Sequence, residues 1–170
     1  MKAIILNLTA WSLLPIMDGM AKYLSYEMHF IQIVWGRYFF MILISLPLTY
    51  FFFKKYLRWP RSINLQLARS IFLFLSTIFF FYAISVISLA KSLALAFIYP
   101  FIVTLLSSFV LKEKVDFQRW CAVIIGFIGA LIIIQPGFIK INLATLAGLG
   151  TGIAYAFYMI STRKLTSIDN

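Results

Sequence analysis

Charged residues are scarce in this 170-residue sequence, at 12%, whereas hydrophobic residues make up 63%. Soluble globular chains are about a quarter charged and roughly half apolar. A domain of this length has too little interior to hide so much apolar surface from water, and the same composition excludes intrinsic disorder. The sequence therefore predicts an integral membrane protein. Its apolar tracts of about 20 residues indicate helices rather than the short alternating strands of a β-barrel.

Residues that carry chemistry are equally few. Cys121 is the only cysteine, which excludes an intrachain disulfide and a cysteine-based metal site. His29 is the only histidine, and its place at the end of an apolar tract favours a solvated interfacial role. The sequence contains no G-x-x-x-x-G-K-[ST] phosphate loop and no Gly-x-Ser-Gly of a membrane serine protease. We therefore predict no enzyme activity, no cofactor and no metal.

Six apolar segments organise the chain. They span residues 4–24, 30–53, 67–89, 92–111, 120–134 and 143–161. At 1.5 Å per residue each can cross about 30 Å of hydrocarbon, although the fifth segment only just does so. The first segment is longer than a signal-peptide core and contains Asp18 and Lys22, so we interpret it as a retained helix.

The net charge of +10 is placed mainly between these segments. Most of the 15 Lys and Arg residues fall on the inner side if the N-terminus is cytoplasmic. The positive-inside rule then predicts six transmembrane helices with both termini in the cytoplasm. Basic residues in such positions meet anionic lipid headgroups, which favours a membrane surface over nucleic acid as the partner of this charge.

Small residues recur at helical spacing in the last two segments. The sixth segment contains Ala144, Gly148, Gly152 and Ala156. Gly126 and Ala130 repeat the spacing in the fifth segment, with Gly129 beside them. Small residues let helix backbones approach closely in lipid, where the hydrophobic effect does not drive association. The pattern predicts close helix packing and nothing more specific.

Asp18 lies inside the first segment, where a carboxylate costs about 3 kcal/mol and normally faces protein or a water-filled cavity. It precedes Lys22 by one turn, so it could merely neutralise a lysine that extends to the outer surface. It could equally serve a polar cavity or a helix contact. Arg37 in the second segment lies about 10 Å from the outer end, close to the depth of Asp18. The two are candidates for a buried pair, either structural or part of a gate or binding site.

Pro100 interrupts the fourth segment and predicts a bend, because it deprives the carbonyl of Ala96 of its usual hydrogen bond. Thr104 and Ser108 continue the stripe of Pro100. Such bent helices often line a transport pathway, and they are also simply tolerated in many membrane helices. Tyrosine hydroxyls need polar partners, so Tyr82, Tyr99 and Tyr155 are candidate cavity walls, with a structural role as the alternative for each. Trp11, on the helical stripe of Asp18, is a further candidate.

The order of these features resembles the EamA-type carriers of the drug/metabolite transporter superfamily. The matching features are Asp18-Gly-Met-Ala-Lys22, Arg37, Tyr99-Pro100, Glu113, Arg119-Trp120, Gly126-Phe-Ile-Gly129 and Gln135-Pro136-Gly137. The resemblance covers essentially the whole chain. It is nearest in character to the bacterial subgroup that includes S-adenosylmethionine and riboflavin uptake carriers.

The resemblance implies an all-α integral membrane fold. EamA-type carriers consist of two inverted five-helix repeats around a central cavity, ten helices in all. Residues 1–137 would form one repeat and residues 138–170 the first helix of a second. The expected partners are membrane lipids, a small-molecule solute, and either a second copy of the chain or a missing second half, with no nucleic acid.

The expected function is secondary transport of a small polar metabolite across the bacterial inner membrane by alternating access. The solute would be amino-acid-like, nucleoside-like or vitamin-like. The candidate substrate-binding or gating residues are Trp11, Asp18, Lys22, Arg37, Tyr82, Tyr99, Pro100 and Tyr155. The alternative is a non-transporting membrane protein that assembles with a larger partner, or an inactive truncated carrier.

Overall fold

A computed structural model describes residues 2–52, 62–110, 116–134 and 142–169, with side chains except at positions 2, 3, 6, 10, 11, 110 and 169. Every regular element within these ranges is an α-helix, so the predicted all-helical class is confirmed. The helices are α1 (Lys2–Leu24), α2 (Phe30–Phe52), α3 (Ile63–Val86), α4 (Leu89–Ala96), α5 (Tyr99–Val110), α6 (Phe117–Ile134) and α7 (Leu143–Asp169).

Five stretches of this part of the chain are long and apolar enough to cross a membrane. They are Phe30–Phe52, Ile63–Val86, Leu89–Phe109, Phe117–Ile134 and Leu143–Ile168. The first helix, α1, has 23 residues and coincides with the first predicted segment. Large apolar side chains cover much of the outer surface, as on α2, where Phe51 is 77% exposed. Lipid is the solvent that suits such a surface.

The fourth predicted segment is divided into α4 and α5 by a turn at Phe97 and Ile98. Pro100 is the second residue of α5. A proline in the first turn of a helix loses nothing, because the N–H that it lacks would have no partner inside the helix. The bend predicted from Pro100 takes the form of a two-residue turn at Phe97 and Ile98 that separates α4 from α5, with the N–H of Ile98 still donating to the carbonyl oxygen of Leu95.

Helices α3 and α7 extend furthest beyond their apolar segments. Helix α3 begins at Ile63, before the predicted start at Leu67, and α7 continues to Asp169, beyond the predicted end at Ser161. The predicted bounds followed apolar residues alone. Arg69, in the second turn of α3, lies against the ring of Tyr158 on α7.

The last helix, α7, is the centre of the packing. It packs most extensively against α3 and also contacts α4 and α5. One buried apolar cluster joins α5 to α7 through Val103, Ala156 and Ile160. A second cluster joins α1, α2 and α3 around Phe81, which is 2% exposed. Helix α3 therefore connects the two clusters.

The small residues of α7 allow the closest of these approaches. A Cβ atom added to Gly148 would lie 2.7 Å from Leu95 Cδ1, and one added to Gly152 would lie 2.7 Å from the carbonyl oxygen of Ala96. The predicted close packing is confirmed on α7, where the end of α4 rests directly on the glycines. The same spacing on α6 has a different outcome in the described residues, because a Cβ added to Gly126 or Gly129 meets nothing within 4 Å.

Candidate solute-binding site

The break between α4 and α5 lies near the middle of the membrane. Tyr99 is ten residues beyond Leu89, about 15 Å at helical rise, which is half of a hydrocarbon layer about 30 Å thick. Pro100 has no N–H group to donate to Ala96, and the N–H of Ile102 donates to the carbonyl oxygen of Ile98, so the regular helical hydrogen-bond pattern is interrupted at this point. Broken helices of this kind commonly form the solute sites of membrane carriers.

Three tyrosine rings meet beside this break. The rings of Tyr99 and Tyr155 are edge to face with centroids 4.9 Å apart, and the ring of Tyr158 lies 5.4 Å from that of Tyr155. All three side chains are partly buried. The structure thus brings together two of the predicted wall residues, Tyr99 and Tyr155, and adds Tyr158. We call these three residues the tyrosine cluster.

The hydroxyl groups of the tyrosine cluster lack hydrogen-bond partners in the described part of the chain. Within residues 2–52, 62–110, 116–134 and 142–169, none of the three forms a hydrogen bond with the protein. A tyrosine hydroxyl in an apolar medium usually finds a partner, because leaving it unpaired costs free energy. The cluster therefore offers three hydroxyls and aromatic surface to a polar solute at mid-membrane.

Two polar residues of α3, Gln66 and Arg69, lie on the side of the bundle where Arg69 contacts the tyrosine cluster. The guanidinium carbon of Arg69 lies 5.9 Å from the ring centroid of Tyr158. Arg69 Nε and Gln66 Oε1 are both shielded from water and have no hydrogen-bond partner. Sequence reasoning missed both residues, because it placed Gln66 outside the apolar segment and counted Arg69 as a charge at the inner surface. Their spacing of three, on one face of a helix, is the signal that could have found them.

Hydroxyl groups elsewhere in the core hold helices together. The buried Ser76 Oγ of α3 donates to the carbonyl oxygen of Thr151 on α7 at 3.1 Å. Thr104 is 1% exposed, and its carbonyl oxygen accepts a hydrogen bond from Ser107. Ser108 is exposed. The predicted stripe of Pro100, Thr104 and Ser108 therefore does not line one open path, because the break at Phe97 and the packing against α7 bury Thr104.

Lys22 binds the C-terminal end of α3. Its Nζ donates hydrogen bonds to the carbonyl oxygens of Ile84 at 2.7 Å and Ile87 at 3.2 Å, and it lies 4.9 Å from the ring centroid of Tyr26. The last carbonyls of a helix lack hydrogen-bond partners and carry partial negative charge. A lysine ammonium group donates hydrogen bonds to them and compensates their charge. Lys22 thus joins α1 to α3, and the described residues show no ion pair between it and Asp18.

Asp18 and Arg37 lie near each other but do not touch. Both side chains are partly buried. The guanidinium carbon of Arg37 lies 5.4 Å from the ring centroid of the buried Phe81. Among the residues that the structure describes, no direct ion pair joins the two. Arg37 therefore packs on an aromatic ring rather than in a tight ion pair with Asp18.

The remaining predicted residues lie apart from the tyrosine cluster. The ring of Tyr82 packs edge on against Phe30 at the start of α2, 5.3 Å between centroids. The side chain of Trp11 is outside the described residues, although its backbone belongs to α1. Glu113 and the segment 135–137 of the family-like pattern also fall outside them.

An apolar cavity of about 370 Å³ lies between α2 and α3. Its lining includes Val34, Trp35, Tyr38 and Phe74. The hydroxyl of Tyr38 is turned to Thr77 Oγ1, to which it donates at 3.1 Å. With only apolar surface exposed, this cavity suits a hydrocarbon chain and not a polar solute, which leaves the tyrosine cluster as the better candidate site.

Comparison with known proteins places the chain among transporters. The profile of the EamA-like transporter family matches residues 1–135. The S-adenosylmethionine uptake transporter of Rickettsia prowazekii is 26% identical over 164 residues, 94% of this chain and 55% of that protein. The riboflavin transporter of Vibrio cholerae is 39% identical over 80 residues, 47% of this chain and 27% of that protein.

The chain spans about half the length of the S-adenosylmethionine transporters that it matches. The protein of that name from Rickettsia bellii is 27% identical over 147 residues, which cover 86% of this chain and 50% of the relative. No solved structure matches the chain.

Proposed function

Because the chain belongs to the EamA-like transporter family, we propose that it contributes the solute-binding part of a secondary carrier for a small polar metabolite. The resemblance noted from the sequence is confirmed, and the chain is a transporter rather than an enzyme. It is a multi-pass protein of the bacterial inner membrane. The observation that carries the proposal is the tyrosine cluster, whose unpaired hydroxyls lie beside a helix break at mid-membrane.

The solute of this carrier combines a flat ring with polar groups. The tyrosine cluster offers ring edges, ring faces and hydroxyls within one small region, which suits a heteroaromatic compound better than a simple sugar or ion. S-adenosylmethionine and riboflavin, the compounds named for its relatives, both contain a flat nitrogen heterocycle with polar substituents. Among the solute classes expected from the sequence, the nucleoside-like and vitamin-like ones therefore fit best.

Transport proceeds by alternating access around this site. The break between α4 and α5 lets the two short helices tilt separately, because the hydrogen-bond ladder is interrupted there. Asp18 and Arg37 carry opposite charges near the outer end of the bundle. Because no tight ion pair joins them, an outer gate at this place can open and close without breaking one. Lys22 belongs to the same outer end, where it holds α1 on α3.

A complete transport path requires helices beyond those of this chain. The relatives' length, about twice the matched part, supports a second set of helices related to the first by an inverted repeat. A longer form of the same polypeptide or a second copy of the chain supplies it. The N-terminus lies in the cytoplasm in this arrangement, as the placement of basic residues favours.

Uptake into bacterial cells tests the proposal. Cells that lack their own uptake of S-adenosylmethionine and riboflavin receive the intact gene, and entry of each radiolabelled compound is measured. We expect uptake of at least one compound. Tyr155→Ala abolishes it, because the hydroxyl and the centre of the ring cluster are lost. Tyr155→Phe keeps the rings and lowers uptake by roughly tenfold, the effect of one lost hydrogen bond to the solute.

The matched control is Tyr23→Ala, since Tyr23 is 69% exposed and remote from the tyrosine cluster. It should transport normally at normal protein level. Wild-type uptake by Tyr155→Ala would remove the tyrosine cluster from the pathway. No uptake of any labelled metabolite by the wild type, alone or with its neighbouring helices, would favour the non-transporting membrane protein.

A further inference from the structure

Two polar atoms on α3 are buried without partners. Arg69 Nε and Gln66 Oε1 are both out of contact with water, and neither forms a hydrogen bond. Buried polar atoms in native proteins nearly always have partners, so each exception requires an explanation. Two exceptions three residues apart on one helix face, with Cβ atoms about 5–6 Å apart, are best explained together.

The chemistry of the two atoms is complementary. Arg69 Nε carries a hydrogen and can only donate, whereas Gln66 Oε1 can only accept. A carboxylate would satisfy Arg69 and leave Gln66 unpaired, and an ammonium group would do the reverse. A ligand that presents an acceptor and an N–H donor side by side satisfies both atoms.

The neighbouring rings define the shape of such a ligand. The Arg69 guanidinium lies over Tyr158, and the rings of Tyr155 and Tyr99 continue the aromatic surface into the centre of the membrane. Planar groups pack well on guanidinium and aromatic surfaces. A flat ring whose edge carries the donor and the acceptor would therefore match both the unpaired atoms of α3 and the aromatic surface beside them.

We propose that Gln66 and Arg69 form the recognition site for the hydrogen-bonding edge of a flat nitrogen heterocycle. The edge has an N–H donor beside a carbonyl or ring-nitrogen acceptor, as in a pyrimidinedione ring or the amino-pyrimidine edge of adenine. This inference rests on the proposed transport function and specifies which part of the solute selects it. It assigns a role to two residues on the inner half of α3.

Ligand chemistry provides the first test, which needs no variant. Riboflavin is titrated into the purified intact protein, and quenching of its fluorescence reports binding. The comparison probe is 3-methylriboflavin, which has the same rings but no N–H on the pyrimidinedione edge. We expect about tenfold weaker binding of the methylated compound, the value of one lost hydrogen bond in a buried site. Adenosine should compete with riboflavin, and N6,N6-dimethyladenosine should compete about tenfold less well.

Variants of the two residues provide the second test. Gln66→Met keeps the length of the side chain and removes the acceptor, so riboflavin binding should weaken about tenfold while 3-methylriboflavin binding stays unchanged. Arg69→Met should weaken both compounds, because stacking on the guanidinium is lost as well. The matched control is Ser70→Ala, whose exposed hydroxyl only donates to the backbone of its own helix.

Thermal unfolding without ligand separates recognition from a structural role. Gln66→Met should raise the melting temperature of the ligand-free protein, because an unpaired buried acceptor is replaced by an apolar group. A lower melting temperature would show that Gln66 supports the fold, and it would overturn the proposal. Equal affinity for riboflavin and its methylated form, or no binding of either heterocycle, would also overturn it. Uptake that depends on Tyr155 would in that case leave the transport function standing.

Discussion

At the scale of single residues, Lys22 shows why a cation near the membrane surface need not be a simple anchor. The sequence predicts that it either extends outward with Asp18 as its counter-ion or belongs to a gate. In the structure its ammonium group donates to two carbonyl oxygens where α3 ends, and the gating role stays a prediction. The sequence shows a lysine near the end of the first apolar segment, but not that the end of α3 lies beside it, since that neighbour is 62 residues away.

Substitution of Lys22 should therefore lower stability. Lys22→Met removes both hydrogen bonds to Ile84 and Ile87, and we expect a loss of about 1–3 kcal/mol in the free energy of unfolding. Lys22→Arg should restore part of it, because a guanidinium can still donate to carbonyl oxygens. Thermal unfolding in detergent measures both. The control is Lys164→Met on an exposed position of α7. An equal loss of stability there would argue against the hydrogen bonds of Lys22 to the end of α3 as the cause.

Arg69 is a residue whose surroundings could not be predicted from the sequence. The positive-inside rule predicts that Arg69, near the start of the third apolar segment, lies at the inner surface. The structure instead places its guanidinium on Tyr158, with Nε buried. Hydropathy cannot predict this, because the contact depends on how α7 lies across α3.

At the scale of elements, five of the six predicted membrane segments and the interruption near Pro100 are found in the described residues, whereas α1 is a helix that is not among the five candidate spans. Hydropathy and proline act on the chain locally, so they are visible without knowledge of its neighbours. The two glycine-containing stripes look alike in sequence, yet only on α7 would a Cβ atom added to a glycine meet another described helix; α6 buries Ala130 but has open space at Gly126 and Gly129. Whether a small residue is needed depends on what faces it, which the sequence of one helix does not contain.

The glycines therefore predict different responses to alanine. Gly152→Ala should destabilise the protein by about 1–3 kcal/mol, because the new methyl group meets the backbone oxygen of Ala96. Gly148→Ala should cost less, since it meets only the flexible side chain of Leu95. Gly129→Ala, with open space around it, should be neutral or stabilising by up to about 1 kcal/mol. Thermal unfolding of the three variants gives the order, and equal losses would contradict the close contact of α4 and α7.

At the scale of the whole molecule, the orientation in the membrane follows from charge. We expect the α1–α2 turn outside and the end of α7 inside. In a Cys121→Ala background, Glu27→Cys should react with a membrane-impermeant maleimide in intact cells. Ser167→Cys should react only after the membrane is opened. Labelling of Ser167→Cys in intact cells would reverse the predicted orientation, and unmodified Cys121→Ala protein is the control for background reaction.

The position of α7 at the centre of the packing has a consequence for how the protein is made. The helices that it joins are synthesised before it, and at about 5–20 residues per second the end of α3 waits several seconds for its main partner. During that interval the buried polar groups of α3 face lipid or the insertion machinery. Premature release of the nascent chain before α7 emerges should therefore produce a substrate for membrane proteases, and translation speed across residues 87–142 becomes a determinant of yield.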